Sequence, residues 1–245
     1  GERKGAGGGG GGGRRVRRMD RRGHCIGMRD AGGANTLTRA DGGLDMTSVF
    51  IYDIGWQVTD KYGNLYEQKS YIVKEIFYGE ADLMKSAYYA KKIPQYLEEI
   101  ARGERVVATY AAIRKDFLDT MARYDTKTVC AHNAGFDYRA TNTTQRYLTC
   151  SKWRYFFPYG TKFVCTLKMA RATFNKDEKY IAFCEENNFV TKHGKPQLTA
   201  EVIYRYLTNN VEFVESHTGL EDVEIETEIF FACIQANPTV DGLLW

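Results

Sequence analysis

The sequence predicts an α/β protein: a mixed β-sheet flanked by helices. Three observations lead there. Two strand-like stretches, "SVFIYDIGWQVTD" (48–60) and "LYEQKSYIVKEIF" (65–77), flank the turn "KYGN" and read as a β-hairpin. Beyond it, segments with apolar residues at helical spacing alternate with short apolar runs of strand length. The 245 residues are enough to bury one sizeable core, and no internal repeat divides them.

Taken in order, residues 1–23 ("GERKGAGGGGGGGRRVRRMDRRG") form a low-complexity Gly/Arg-rich tail. Consecutive glycines lose too much entropy on ordering, so this tail is expected to be disordered and residues 24–245 to form the domain, with order secure from about Ser48. Residues 80–101 read as helical and split at Pro94. "ERVVATY" suggests a short strand. In "AAIRKDFLDTMARY" the residues Ile113, Phe117, Leu118 and Met121 make one apolar stripe. "KTVCAH" reads as a buried strand followed by a helix, "FDYRATNTTQRYLT". "TKFVCTLKMARA" begins as a strand and turns helical, and "AFCEENNF", "LTAEVIYRYLT" and residues 218–235 read as the remaining helices.

Charge and cysteine usage exclude some classes. Residues 1–22 hold eight Lys or Arg against two acids, which leaves 26 basic and 29 acidic residues for the rest. The body is therefore mildly acidic, and binding a polyanion requires a local patch or bound cations. The six cysteines are scattered, without C-x-x-C pairs or zinc spacing, and fit reduced, buried thiols in an intracellular, cytoplasmic setting. No stretch approaches the ~20 apolar residues of a membrane span.

Two stretches carry chemistry. In "VCAHNAGFDYRA" (129–140) a buried strand ends at His132, Asn133 sits in a short loop, and Phe136 and Asp137 open a helix. Ligands gather at the carboxyl ends of strands in open α/β sheets, which is where Asp137 would lie. In "SHTGLEDVEIETEIFF" (216–231) Thr218 and Glu221 have capping-box spacing, placing His217 on the preceding loop and Asp222 in the first helical turn. A base beside a metal ligand needs that arrangement; a solvated acidic helix start would also give it.

Together, H-N-x-x-F-D followed about 80 residues later by H-x-x-x-x-D resembles the second and third motifs of the DEDDh (DnaQ-like) 3′→5′ exonuclease superfamily, over roughly residues 46–234. "YDIGWQVTD", "NTTQRYL" and "RYFFPYG" look like its bacteriophage-encoded branch. The resemblance implies a ribonuclease H-like fold and release of nucleoside monophosphates from single-stranded 3′ ends, of DNA in preference to RNA. It also implies two divalent cations, Mg²⁺ or Mn²⁺, about 3.5–4 Å apart. It makes Asp137 and Asp222 metal ligands, makes His217 the general base, and gives Asn133 and Phe136 a supporting role at the substrate. The aromatic stretch 152–160 ("KWRYFFPYG") is either a stacking platform for bases or a core-packing loop.

One family feature is missing: a D-x-E on the first strand. The only D-x-E is Asp222-Val223-Glu224, inside the third motif, and its Glu224 is expected to face away from Asp222. "RDAGGANTL" would put Asp30 at the first ligand position and Gly32 at that of the glutamate; "TRADGGLDM" would put Thr38 and Ala40 there, with Asp41 nearby. Loss of this charge weakens retention of at least one ion. The alternative function is therefore a catalytically inactive module of the same fold that binds nucleic acid or a replication protein.

Overall fold

The computed structural model describes residues 25–34, 45, 47–87, 90–149, 154–215 and 219–244, and only the backbone of Cys25, 28–34 and 219–221. The predicted hairpin is β2 (Phe50–Thr59) and β3 (Leu65–Val73). Asp60 shapes its turn: the carboxylate accepts from the amides of Tyr62 (2.8 Å) and Asn64 (3.1 Å), from Asn64 Nδ2 (2.9 Å) and from the Tyr66 hydroxyl (3.1 Å). These bonds, that of the Asn64 side chain foremost, hold the Asp60 carboxyl down at about 2. Ahead of the hairpin lies a further strand, β1 (Cys25–Ala34), in a stretch whose glycines hid it from sequence reading.

The returning strand stops earlier than expected. "KEIF" is the short helix α1 (Lys74–Phe77), in which Ile76 and Phe77 are both buried. Two successive side chains turned into one core do not fit the period of two that a strand imposes. Pro94 occupies the first turn of α3 (Ile93–Ala101), where no intrahelical N–H is needed, after the short α2 (Ala81–Lys85). β4 (Val106–Ala108) leads into α4 (Tyr110–Arg123), capped by Thr109, whose Oγ1 accepts from the Ala112 amide at 3.3 Å. Then follow β5 (Thr128–Ala131), α5 (Ala134–Leu148), β6 (Lys162–Cys165) and α6 (Thr166–Thr173). The chain continues through α7 (Glu178–Glu186), α8 (Ala200–Thr208) and α9 (Gly219–Ala236).

The six described strands form one mixed sheet in the order β4-β3-β2-β1-β5-β6. β1 is antiparallel to β2 and β2 to β3, whereas β3–β4, β1–β5 and β5–β6 are parallel. Each face buries its own cluster. Ile26, Ile54, Trp56, Val129 and Phe163 pack with Ile113 and Phe117 of α4 and Ala140 of α5. Cys130 and Val164, the alternating neighbours, pack on the other side with Met169, Ile203, Ile225 and Ile229 of α6, α8 and α9.

Three local devices tie this together. A Cβ on Gly27 would lie 3.3 Å from both Thr227 Oγ1 and Val223 Cγ1, so glycine lets α9 approach β1 closely. The β1–β2 register is irregular around Gly32 and Gly33, and Thr144 Oγ1 of α5 takes the nearby Ile51 amide at 2.9 Å. The outer edge of β6 is covered by the C-terminal segment: Cys165 N donates to Gly242 O (2.7 Å) and Leu244 N to Phe163 O (3.0 Å). Cys130, Cys165, Cys184 and Cys233 are buried and in no disulfide among the described residues, and burial pushes the Cys233 thiol up to about 11. Among the described residues, no helix is long and apolar enough to cross a membrane.

Candidate active site

The three parallel strands β1, β5 and β6 deliver their carboxyl ends to one rim of the sheet. β5 ends at Ala131, and the chain turns through His132 into Asn133, whose left-handed backbone (φ 63°) starts α5. The tight turn is closed by the Phe136 amide donating to Asn133 O at 2.7 Å. It puts Asp137 in the first turn of α5, 3% exposed, where the helix dipole favours a carboxylate. Phe136 packs half-buried against the larger core, while Asn133 is exposed.

His132 belongs to the scaffold. Its Nε2 lies 2.9 Å from Leu198 O and its Nδ1 3.0 Å from Thr166 Oγ1. A carbonyl can only accept, so Nε2 carries a proton, and in the neutral imidazole Nδ1 accepts from the threonine hydroxyl. The His132 amide donates to Glu226 Oε2 of α9 at 2.9 Å. Glu226 is 3% exposed and stands one helical turn from Asp222, which is 0% exposed. The acidic run of α9 is thus sorted by helical period: Asp222 and Glu226 face inward, Glu224 and Glu228 outward. Glu224 accepts from Gln68 at 2.8 Å on the exposed side, as expected of the decoy D-x-E.

The direction of α9 follows from its contacts with the hairpin. Gly63, at the tip, lies against Phe231, and Gln57 Nε2 donates to Val223 O at 3.2 Å. The helix therefore advances toward the start of β2, and toward the Gly32–Asp53 pair, as its numbering falls. Asp53 is wholly buried, and its Oδ2 accepts from the Tyr96 hydroxyl (2.8 Å) and Arg105 Nη1 (3.1 Å). Arg105 also pairs with Glu99 and lies 4.3 Å over the Tyr96 ring. Burial, then the Asp53 charge, raises the Tyr96 hydroxyl above the usual phenol range, so it stays protonated and donates.

The predicted site residues divide into three groups. Asp137 and Asp222 are buried carboxylates on α5 and α9, whose starts the Glu226–His132 bond ties to a common frame. Asp30 is placed by its backbone in β1, opposite Ile54, and Gly32 stands opposite Asp53. His217 lies outside the described residues, as do Thr38, Ala40, Asp41 and Thr218. Among the described residues no group of three potential ligands is assembled for a metal. The aromatic stretch separates: Phe156 and Phe157 are buried, while Tyr155 and Tyr159 are 58% and 101% exposed. This loop feeds the amino end of β6, the rim away from Asp137, which makes its phenylalanines core packing.

Sequence reading missed Glu226 and Asp53. Glu226 had a usable signal, four residues after Asp222 on one helix. So had Asp53, the single charged residue of a strand rich in β-branched and aromatic residues, which must find buried partners.

Comparison with solved structures shows likeness in fold to nucleases. A full-length 3′-exonuclease superposes with a TM-score of 0.55 at 9% identity, over 90% of this chain and 85% of that one. E. coli Exonuclease I in complex with a 5cy-dA13 oligonucleotide gives 0.51 at 12%, over 89% of this chain and 41% of that one. Cell-death related nuclease 4 (CRN-4) gives 0.50 at 9%, over 90% and 66%. No protein-family model matches the chain, and a comparison with curated proteins found no match. At these identities the likeness establishes the architecture alone: a mixed six-stranded α/β sheet flanked by helices, as in those structures.

Proposed function

We infer that this chain is a metal-dependent 3′→5′ exonuclease of the DEDDh type, acting on single-stranded ends, DNA before RNA, and releasing nucleoside monophosphates. The observation that carries the reading is the pair of buried carboxylates, Asp137 and Asp222, on two elements locked together by Glu226 and the His132 amide. The exonuclease architecture and the two paired motifs support a nuclease in particular.

The donor chemistry suits Mg²⁺ or Mn²⁺, since both described ligands are hard carboxylate oxygens. Bound divalent ions would supply the charge that polarises the scissile phosphate and stabilises the leaving 3′ oxygen. Asp137 and Asp222 would hold them, with Asp30 as the third ligand. His217 would take the proton from the attacking water. Asn133, exposed at the rim, would hydrogen-bond the terminal nucleotide beside Phe136. Buried thiols fit an intracellular setting, and the phage-like segments fit a bacteriophage-encoded enzyme.

One observation favours a second reading, a binding module without turnover: Gly32, at the position of the family's glutamate, brings no carboxylate. A 5′-labelled single-stranded oligonucleotide with Mg²⁺, Mn²⁺ or EDTA separates the two. The enzyme shortens it from the 3′ end only with metal, and Asp222→Ala and His217→Ala stop it. Binding without shortening in every condition selects the module.

A further inference from the structure

The body of the chain is mildly acidic, so a nucleic acid strand held without bound metal needs a local cationic feature. Residues 191–195, "TKHGK", supply one at the candidate site. All five are exposed, and they carry Lys192, His193 and Lys195 with no acid among them. Among the described residues, none of these three side chains has an ion pair or side-chain hydrogen bond. The flanking acids in sequence are Glu185 and Glu186, which close α7, and Glu201, which pairs with Arg205 on α8.

The turn is built rather than loose. Thr191 N donates to Lys195 O at 2.7 Å and Gly194 N to Thr191 O at 2.9 Å, while Thr191 Oγ1 accepts from the amides of His193 (3.4 Å) and Lys195 (3.2 Å). Gly194 has a φ of +70°, where a side chain would be strained. Val190 and Pro196 bridge at its base, and Gln197 N donates to Phe189 O at 2.9 Å. Next in sequence, Leu198 O receives the proton of His132 Nε2 at 2.9 Å, and His132 precedes the turn that carries Asp137. The three residues from Lys195 to Leu198 span at most ~10 Å. The cations are thus presented by a short hydrogen-bonded hairpin pinned to the Asp137 rim.

We propose that Lys192 and Lys195, with His193 between them, bind the phosphate backbone of single-stranded nucleic acid entering that rim. The inference rests on the nuclease reading for the identity of the strand, and its test separates the two. Binding of a labelled single-stranded oligonucleotide is followed by anisotropy in EDTA, where nothing is cut, across a range of salt. Each phosphate contact contributes ~0.7 to the log–log salt slope for a single strand, so Lys192→Gln/Lys195→Gln lowers the slope by about 1.4. At 0.1 M salt that corresponds to roughly 25-fold weaker binding. Lys127→Gln/Lys162→Gln, two exposed lysines at the opposite rim, serves as the control and leaves affinity unchanged. The proposal is overturned if the hairpin pair binds as the parent does, if both pairs lose affinity equally, or if the parent does not bind. Loss of binding in the hairpin pair, where the parent binds but never cleaves with Mg²⁺, supports this surface and removes the exonuclease reading. Unchanged binding alongside metal-dependent cleavage does the reverse.

Discussion

Replacing Glu226 with alanine tests how the two carboxylate-bearing elements are held. Glu226 is 3% exposed and its Oε2 accepts from the His132 amide at 2.9 Å. Alanine leaves that partly buried N–H without its acceptor, which costs about 1–3 kcal/mol. Loss of the buried methylene adds about 0.8 kcal/mol. A total near 2–4 kcal/mol is a sizeable share of the 5–15 kcal/mol typical of a domain. Urea denaturation followed by circular dichroism should show the midpoint fall with an unchanged slope. Glu226→Gln keeps an acceptor oxygen and should lose much less. In cleavage assays on folded protein, Glu226→Ala should lower kcat about 100-fold through a shift of order 1 Å in the first turn of α9. Equal midpoints for Glu226→Ala and the parent, within about 0.5 kcal/mol, would refute the strut.

Other outcomes follow from neighbouring features. Arg105→Ala strands the buried Asp53 charge, and the denaturation midpoint should drop by the equivalent of about 3–5 kcal/mol. A Cβ on Gly242 would sit 2.7 Å from Met169 and 2.8 Å from Val164, so Gly242→Ala should cost about 1–3 kcal/mol and raise amide exchange at Cys165. Asp60 has a folded value of about 2 against an ordinary 3.8, so its contribution is present above pH 3.8 and is lost as the pH falls toward 2. Asp60→Asn should flatten the stability profile in that window while changing its shape little near neutrality.

The hairpin, the helices after it and the α/β class were legible because period-two and period-3.6 patterns survive where a strand or helix has one wet face. Composition did not show β1, although one alignment with the exonuclease family put "RDAGGANTL" on a first strand: "CIGMRDAGGA" has few β-branched residues and several glycines, and it becomes a strand by filling the gap between β2 and β5. Residues 74–77 were misassigned because Ile76 and Phe77 continue a strand-like composition while the backbone has already turned. At the candidate site, Asp137 and Asp222 were singled out through the two motifs that resemble the exonuclease family. Glu226 and Asp53 were not, because burial on a helix with acids on every face, or against partners on α3 and the loop before β4, depends on tertiary contacts. The cationic hairpin escaped notice for a related reason: only its attachment to His132 gives two lysines a location.

The central claim, metal-dependent cleavage from the 3′ end using Asp137 and Asp222, is tested most directly on a 5′-labelled single-stranded oligonucleotide resolved nucleotide by nucleotide. The account predicts stepwise shortening with Mg²⁺ or Mn²⁺, none in EDTA, and none with folded Asp137→Asn or Asp222→Asn protein. No shortening by the parent with either metal, or shortening that continues in EDTA or in Asp222→Asn, would contradict it.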